Sequence, residues 1–571
     1  MIFAAFLATL QAGWRTGRPP AARRRARPAV ASSSPPPGHL FVVHGDLRRI
    51  FADDVLFPTR NLSHPVWFAD GPPEGAVPID PSRFSAEERV HRVEGTSAPN
   101  VWLSYVSWDE DGTAPVEWFL EAAEQFLEQA AAPRRESGCG DRLFPLLALP
   151  VIGTGGSGGK QMSGSLLSSL LSLLQDFVAR HPVDVVLIAK SRQMLSAANA
   201  IRRRFETPPS VRELLEPRLV REAWRLARLS EAGQLSLFLG SGMKKMVDLP
   251  SWSELLDDIG RSAGLDERQR DQLRRLELKE QANVLQLLLA KQGGGAGDNP
   301  AAVSPSETPA LQEVGMAELQ RRVVARLRGE RYSVAHALLA ALPHDSAVTT
   351  NSDLCYDTAC KAANVRINLL PYDTRASQRW VLKLHGDVDH PEDVVISYRA
   401  GGREALSGIV QALLITKHIM FVGFSLKDDA FNEVAAVVRR ALGEERASRE
   451  TFGTALTLSD RPFLSELWPD LESVPMGVGA TTDADYGARV RKLHVFLDCV
   501  CLEANARGAA HLLDPTMEGT LTADDVQLKG EIEQLVEALR AEPSSLELAA
   551  AAPIKAMLRR LGSTEPLEPG G

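Results

Sequence analysis

Short apolar runs alternate with longer stretches whose apolar positions recur every three to four residues, the pattern of strands joined by helices in an α/β protein. Strands are predicted at residues 40–43, 101–107, 146–152 and 183–189, and amphipathic helices at 116–131 and 166–179. These make residues 39–207 a three-layer α/β domain, with Pro208-Pro209 marking its end. A second α/β pattern, with a Rossmann-like parallel sheet, covers residues 208–503. Residues 292–308 interrupt it; rich in Gly, Pro, Ala and Ser, they read as a disordered surface loop between helices. Residues 504–571 read as a helical tail, and residues 1–38 offer no periodic apolar face.

Four apolar runs of the second pattern end in small or polar residues, where a parallel sheet presents its chemistry. The first delivers the chain to Gly240-Ser241-Gly242, a turn whose amides could approach a diphosphate or which is a plain tight turn. Beyond it, Ser251 and Glu254 have capping-box spacing, so a helix opens at Trp252 with Leu255 and Leu256 on its packed face. The second ends in Thr350-Asn351-Ser352-Asp353. Asn351 can donate and accept, which suits holding a water or a ribose hydroxyl, and it can equally shape an Asx-turn. The third ends at His385, either a structural histidine or a proton acceptor. The fourth, residues 419–422, runs into Gly423-Phe424-Ser425-Leu426-Lys427-Asp428, with Asp428 placed to contact a nucleotide or to cap the following helix. Together the four describe a dinucleotide site with reacting groups beside it.

At 571 residues, 44% hydrophobic and 24% charged, the chain has room for two or three soluble domains. Its net charge of -9 includes six arginines and no acid in residues 1–38, which leaves -15 on the remainder and argues against a nucleic-acid surface. Five cysteines without a Cys-x-x-Cys pair suit a reducing compartment, and no metal is expected. The apolar run 2–10 is too short to span a bilayer, so no membrane span is expected. The Arg-rich leader resembles an organelle transit peptide, with a disordered leader as the alternative; a cytoplasmic or organellar location follows. A homo-oligomer is also expected.

In order, Gly240-Ser241-Gly242, Leu249-Pro250-Ser251-Trp252, Thr350-Asn351-Ser352-Asp353, Lys383-Leu384-His385-Gly386-Asp387 and the segment 421–428 resemble the sirtuin (silent information regulator) family, specifically its divergent NAD-cleaving branch. The resemblance implies that Asn351 and His385 are catalytic. It places Gly240, Ser241, Gly242, Trp252, Asp353, Gly423, Ser425 and Asp428 on NAD, which is a substrate. Two departures stand out: the four-cysteine zinc module of the deacetylases is missing, and Lys244 stands where the family has a serine.

Residues 39–205 resemble, less closely, a macrodomain, the fold that binds ADP-ribose. Gly153 to Lys160 follow a strand and precede a helix but do not fit a Walker motif, because Gln161 holds the hydroxyl position. The resemblance implies Asp46 at the adenine, Asn61 at the distal ribose, and Gly153, Gly155, Gly156 and Gly158 at the diphosphate of ADP-ribose or cyclic ADP-ribose. The expected activity is therefore NAD glycohydrolysis. A protein deacylase or ADP-ribosyltransferase, and an inactive NAD- or ADP-ribose-binding module, are the alternatives.

Overall fold

A computed structural model describes residues 36–571 apart from 61–66, 70, 97–98, 108–113, 133–141, 155–159, 294–307, 374–378, 396–403, 444–450, 462, 480, 542–550 and 564–571. Residues 1–35 of the expected leader and most of the low-complexity insert lie outside the described residues.

Six strands form the first sheet: β1 (Leu40–His44), β2 (Asp54–Thr59), β3 (Val90–Arg92), β4 (Asn100–Tyr105), β5 (Leu146–Pro150) and β6 (Asp184–Ala189). Their order is β1-β6-β5-β2-β4-β3, parallel except where β3 meets β4. Seven strands form the second: β7 (Leu235–Leu239), β8 (Ser346–Thr349), β9 (Asn368–Leu370), β10 (Trp380–Lys383), β11 (His418–Val422), β12 (Gly453–Thr457) and β13 (Leu471–Pro475). These are all parallel, in the order β13-β12-β11-β7-β8-β10-β9. β2, which begins on Asp54 directly after Asp53, and the three-residue β3 fall outside the strands read from the sequence.

Side chains alternate across a strand, and the first sheet uses both faces. Leu40, Val42, Leu56, Leu147, Leu149, Val185 and Leu187 pack under helices Val116–Ala130, Ser163–Arg180 and Arg192–Arg202. Phe41, Val43, Val55, Phe57, Val101 and Leu103 face the other way. They share one core with Leu235 and Leu237 of β7, with Tyr332, and with Val495, Phe496 and Val500 of helix Asp483–Ala504. The second face of the first sheet is thus covered by the second α/β pattern, and Pro36–Gly571 form one compact unit.

Buried polar contacts line this junction. His39 reaches Ser210 Oγ at 2.7 Å and Asp498 Oδ2 at 3.0 Å, and Arg202 also pairs with Asp498. Arg491 grips Asp184 with bonds of 2.8–3.1 Å and donates to Pro37 O at 2.9 Å. Burial would raise the Asp498 carboxyl, but Arg202 and His39 outweigh it and hold its pKa below the usual range. The chain after Ala504 folds back on the first helix layer: Ser196 Oγ donates to Gly508 O at 2.8 Å, and Gly519 lies against Gly164 of helix Ser163–Arg180.

Candidate functional site

The four strands that end in the candidate residues are neighbours at the centre of the second sheet, β11-β7-β8-β10. Val422 pairs with Leu239, Leu239 with Thr349, and Thr349 with Lys383, so all four strands end at one level. The chain leaves β7 toward β8 on one side, whereas β11 and its successors lie on the other. Sheets of this kind bind ligands at such a reversal.

The two glycine turns meet there. Gly240 N–H donates to Val422 O at 3.0 Å and Gly242 N–H to Gly423 O at 2.8 Å, so these amides extend the sheet instead of pointing at a ligand. A Cβ at Gly240 would lie 2.5 Å from both Gly423 O and Phe424 Cα, and one at Gly242 would lie 2.9 Å from Gly423 Cα. Of the two sequence readings, room for a diphosphate and a plain tight turn, the described contacts are those of a turn whose glycines make room for each other. Beneath them Phe238, Phe421, Phe424 and Phe431 form an aromatic cluster, with Phe238 centred 4.4 Å from Phe424 and 5.1 Å from Phe431. Ser241 and Ser425 stand exposed at the rim, where Ser425 O accepts from Arg461 at 3.1 Å.

Asn351 is buried. Its backbone N–H donates to Thr349 Oγ1 at 3.0 Å, and its Nδ2 donates to Gly240 O at 2.9 Å, tying β8 to the first glycine turn. Its Oδ1 is buried with no hydrogen-bond partner. The next strand end carries His385, whose carbonyl accepts from Ser352 Oγ at 3.1 Å and from Val395 N–H at 3.0 Å. Gly386 turns the chain with φ +81, where a Cβ would lie 2.1 Å from Asp393 O. The His385 ring points across the sheet ends, with Nε2 3.2 Å from Asp428 Oδ2. Asp428 also caps helix Asp429–Leu442, its Oδ1 accepting from Phe431 N–H at 3.0 Å. Of the two readings for Asp428, the structure realises the cap and adds a contact to His385.

Below this level lies a buried charged group that the sequence reading did not assemble. Lys383 Nζ stands 2.6 Å from Asp357 Oδ2 and 3.0 Å from Asp387 Oδ2, and donates to Asp353 O at 2.7 Å. Burial alone would lower the Lys383 pKa, but Asp357, Asp387 and Asp353 raise it overall. Asp353, expected on the nucleotide, is buried and accepts from Cys355 N–H at 3.0 Å. Burial would raise its pKa, whereas Lys244 and Lys383 bring it below the usual range. Lys244, at the family's serine position, is itself buried, which lowers its pKa, and its Nζ lies 5.3 Å from the Trp252 ring centre. Trp252 opens helix Trp252–Ser262 behind the Ser251/Glu254 capping box read from the sequence. That helix packs in a helical lobe whose core includes Val388 and Val394 of the segment after His385.

Cys355 and Cys360 are buried in one helix, and burial pushes both thiols up, Cys360 to about 12. Among the described residues no group of three or more His, Cys, Asp or Glu could hold a metal ion, and no helix is long and apolar enough to cross a membrane.

In the first sheet, Asp46 follows β1, caps the turn Leu47–Arg49 and pairs with Arg48 at 2.7 Å. Tyr332 locks this corner, donating to Asp46 O at 3.1 Å and accepting from Asp46 N–H at 2.8 Å. Gly153 has φ +89 just beyond β5, packed on the Phe119 ring. Asn61, Gly155, Gly156 and Gly158 lie outside the described residues.

A family model described as a SIR2-like domain matches residues 345–468, which hold Asn351, His385, Gly423 and Asp428. The chain is 26% identical over 273 residues to the NAD(+) hydrolase ThsA of Bacillus cereus (strain MSX-D12), covering 46% of this chain and 48% of that protein. It is 24% identical over 236 residues to the NAD(+) hydrolase ThsA of Enterococcus faecium, covering 39% and 43%. The chain thus spans about half the length of the curated relatives it matches. Among solved structures, a Sir2 homologue mutant–ADP ribose complex aligns over 48% of this chain and 95% of its own, at 13% identity and TM-score 0.24. A Sir2 homolog–NAD complex aligns over 48% and 94%, at 14% identity and TM-score 0.24.

Proposed function

Taking residues 345–468 as a SIR2-like domain, we propose that this chain is an NAD+ glycohydrolase, releasing nicotinamide and ADP-ribose or a cyclic form of it. The observation that carries this reading is the Asn351 side chain: its nitrogen is committed to Gly240 O while its buried Oδ1 has no partner, one strand end from His385. A buried acceptor left unbonded costs about 1–3 kcal/mol. A water or a ribose hydroxyl supplies the missing donor. The names of the two curated relatives support the same activity.

The chemistry asks little of the protein. Nicotinamide is cationic in NAD and leaves neutral, so no general acid is needed. The C1′–N bond breaks with its electron pair returning to the pyridine nitrogen, and a bond from water oxygen forms on the opposite face. Asn351 Oδ1 orients the water without adding a competing charge, and His385 takes the proton, directly or through a ribose hydroxyl.

Incubating the pure full chain with NAD and resolving the products by mass tests the proposal. Nicotinamide and ADP-ribose, or its cyclic isomer, should appear without a second substrate. Asn351→Ala and His385→Ala should each slow their release by roughly a hundredfold or more while the far-ultraviolet circular dichroism is unchanged. Wild-type rates in both variants would place the reaction elsewhere, and turnover only with an acylated peptide would favour the deacylase.

For the first sheet we propose an ADP-ribose-type ligand at the strand ends that carry Asp46 and Gly153. The support is the left-handed turn at Gly153 beyond β5 and the helix Ser163–Arg180 that follows. Titrating ADP-ribose into an Asn351→Ala full chain separates this binding from turnover. A signal unchanged by bulky replacement of Gly155 and Gly156 would count against it.

A further inference from the structure

We propose that Asp428 is a positioning residue for His385: it fixes which ring nitrogen carries the hydrogen and stabilises the imidazolium formed when His385 takes a proton. The proposal rests on the NAD-cleaving reading of the site but reaches a residue that reading leaves on the cofactor.

Asp428 Oδ2 is 3.2 Å from His385 Nε2. A carboxylate can only accept, and a lone pair on Nε2 facing it at that distance would be repelled, so the neutral ring carries its hydrogen on Nε2. Nδ1 is then the nitrogen with a free lone pair. Both partners are held from behind. The His385 backbone is pinned by Ser352 Oγ and Val395 N–H, and the Asp428 carboxylate by Phe431 N–H at the start of helix Asp429–Leu442. That helix is anchored by Phe431 in the aromatic cluster under the glycine turns. A helix N-terminus favours a negative charge, so the carboxylate is stabilised where it stands.

Exposure argues for a functional pair as well. The two side chains are 23% and 18% exposed, so the contact sits at the mouth of the site, where a bare ion pair contributes little to stability. In the reaction, water oxygen bonds to C1′ as the bond to nicotinamide breaks, and the proton released from the water travels to Nδ1. The positive charge then spreads over a ring whose other nitrogen already faces Asp428, and no further group has to move.

Asp428→Asn tests this because Asn caps a helix as well as Asp does. Its carbonyl can keep the Phe431 N–H while its NH2 faces His385, which reverses the hydrogen on the ring. With NAD as substrate, kcat should fall about a hundredfold or more while KM stays within about threefold. In the full chain labelled with 15N-histidine, with the His385 signals assigned by their loss in His385→Ala, the wild type should show the Nε2–H tautomer and Asp428→Asn the Nδ1–H tautomer. An Nδ1–H tautomer in the wild type overturns the proposal even if the chain proves not to cleave NAD. An Asp428→Asn enzyme with unchanged kcat, or with only KM raised, also overturns it, the latter by returning Asp428 to the cofactor. If the variant misfolds, the wild-type tautomer alone decides.

Discussion

Lys383 ends β10 and Asn351 stands just beyond the end of the adjacent β8, and burial gives them opposite relations to their surroundings. Asn351 keeps one acceptor unbonded, which suits a group that must meet a substrate. Lys383 is saturated by Asp357, Asp387 and Asp353 O, which suits a group that must not move. Replacing Lys383 by Met would leave two buried carboxylates without their cation, a loss of about 3–5 kcal/mol for a broken buried pair. The urea midpoint of Lys383→Met should drop accordingly. A midpoint equal to wild type would mean that the carboxylates are neutral and the cluster is not ionic.

At the scale of elements, the contact between the two glycine turns makes a strict demand on size. Gly240→Ala would drive a methyl into Gly423 O and Phe424 Cα, backbone atoms held by β11 and the aromatic cluster. Because neither can swing away, overpacking of this kind should cost about 1–3 kcal/mol and pull β7 from β11. Thermal unfolding should report the loss, and NAD cleavage should fall with it because Gly240 O holds Asn351. Retention of both stability and activity would show that the turn has room the structure denies.

For the whole molecule, the junction between the sheets sets both cooperativity and acid sensitivity. A fragment of residues 36–207 would expose Phe41, Val43, Val55, Phe57, Val101 and Leu103 on one face. It should bind hydrophobic dyes and lack a sharp thermal transition, whereas a cooperative transition would mean that the first sheet folds without its cover. His336 is buried and His494 half-buried at the same junction, with pKa values lowered, chiefly by removal from solvent, to about 4 and about 3. In the unfolded chain each titrates near 6.5. Below that value the unfolded state binds the protons first, so stability falls as pH falls from about 6.5 toward 4, by roughly 3 kcal/mol for each group. Urea midpoints measured across that range should decline steadily; a flat profile would show that these rings stay protonated or solvated in the fold.

The α/β class, the strand ends and the capping box at Ser251 and Glu254 were legible from the chain alone, because each is written in neighbouring residues: an apolar run, a small-residue turn, a cap three positions from its partner. The strand-end positions of Asn351 and His385 were legible for the same reason, each following its own apolar run. Which strands stand side by side was not. Parallel pairing joins β7 to residues over a hundred positions away in β8 and β11, and only the sheet order brings β11, β7, β8 and β10 to one level. The contact of His385 with Asp428, the cluster around Lys383 and the packing of Gly240 on Gly423 all follow from that order. The unbroken apolar run Leu40, Phe41, Val42 and Val43 likewise marked a strand but not what would bury either of its faces, since an apolar run says nothing of its partner. Only the tertiary structure decided that Phe41 and Val43 pack against the part of the chain that carries the candidate site.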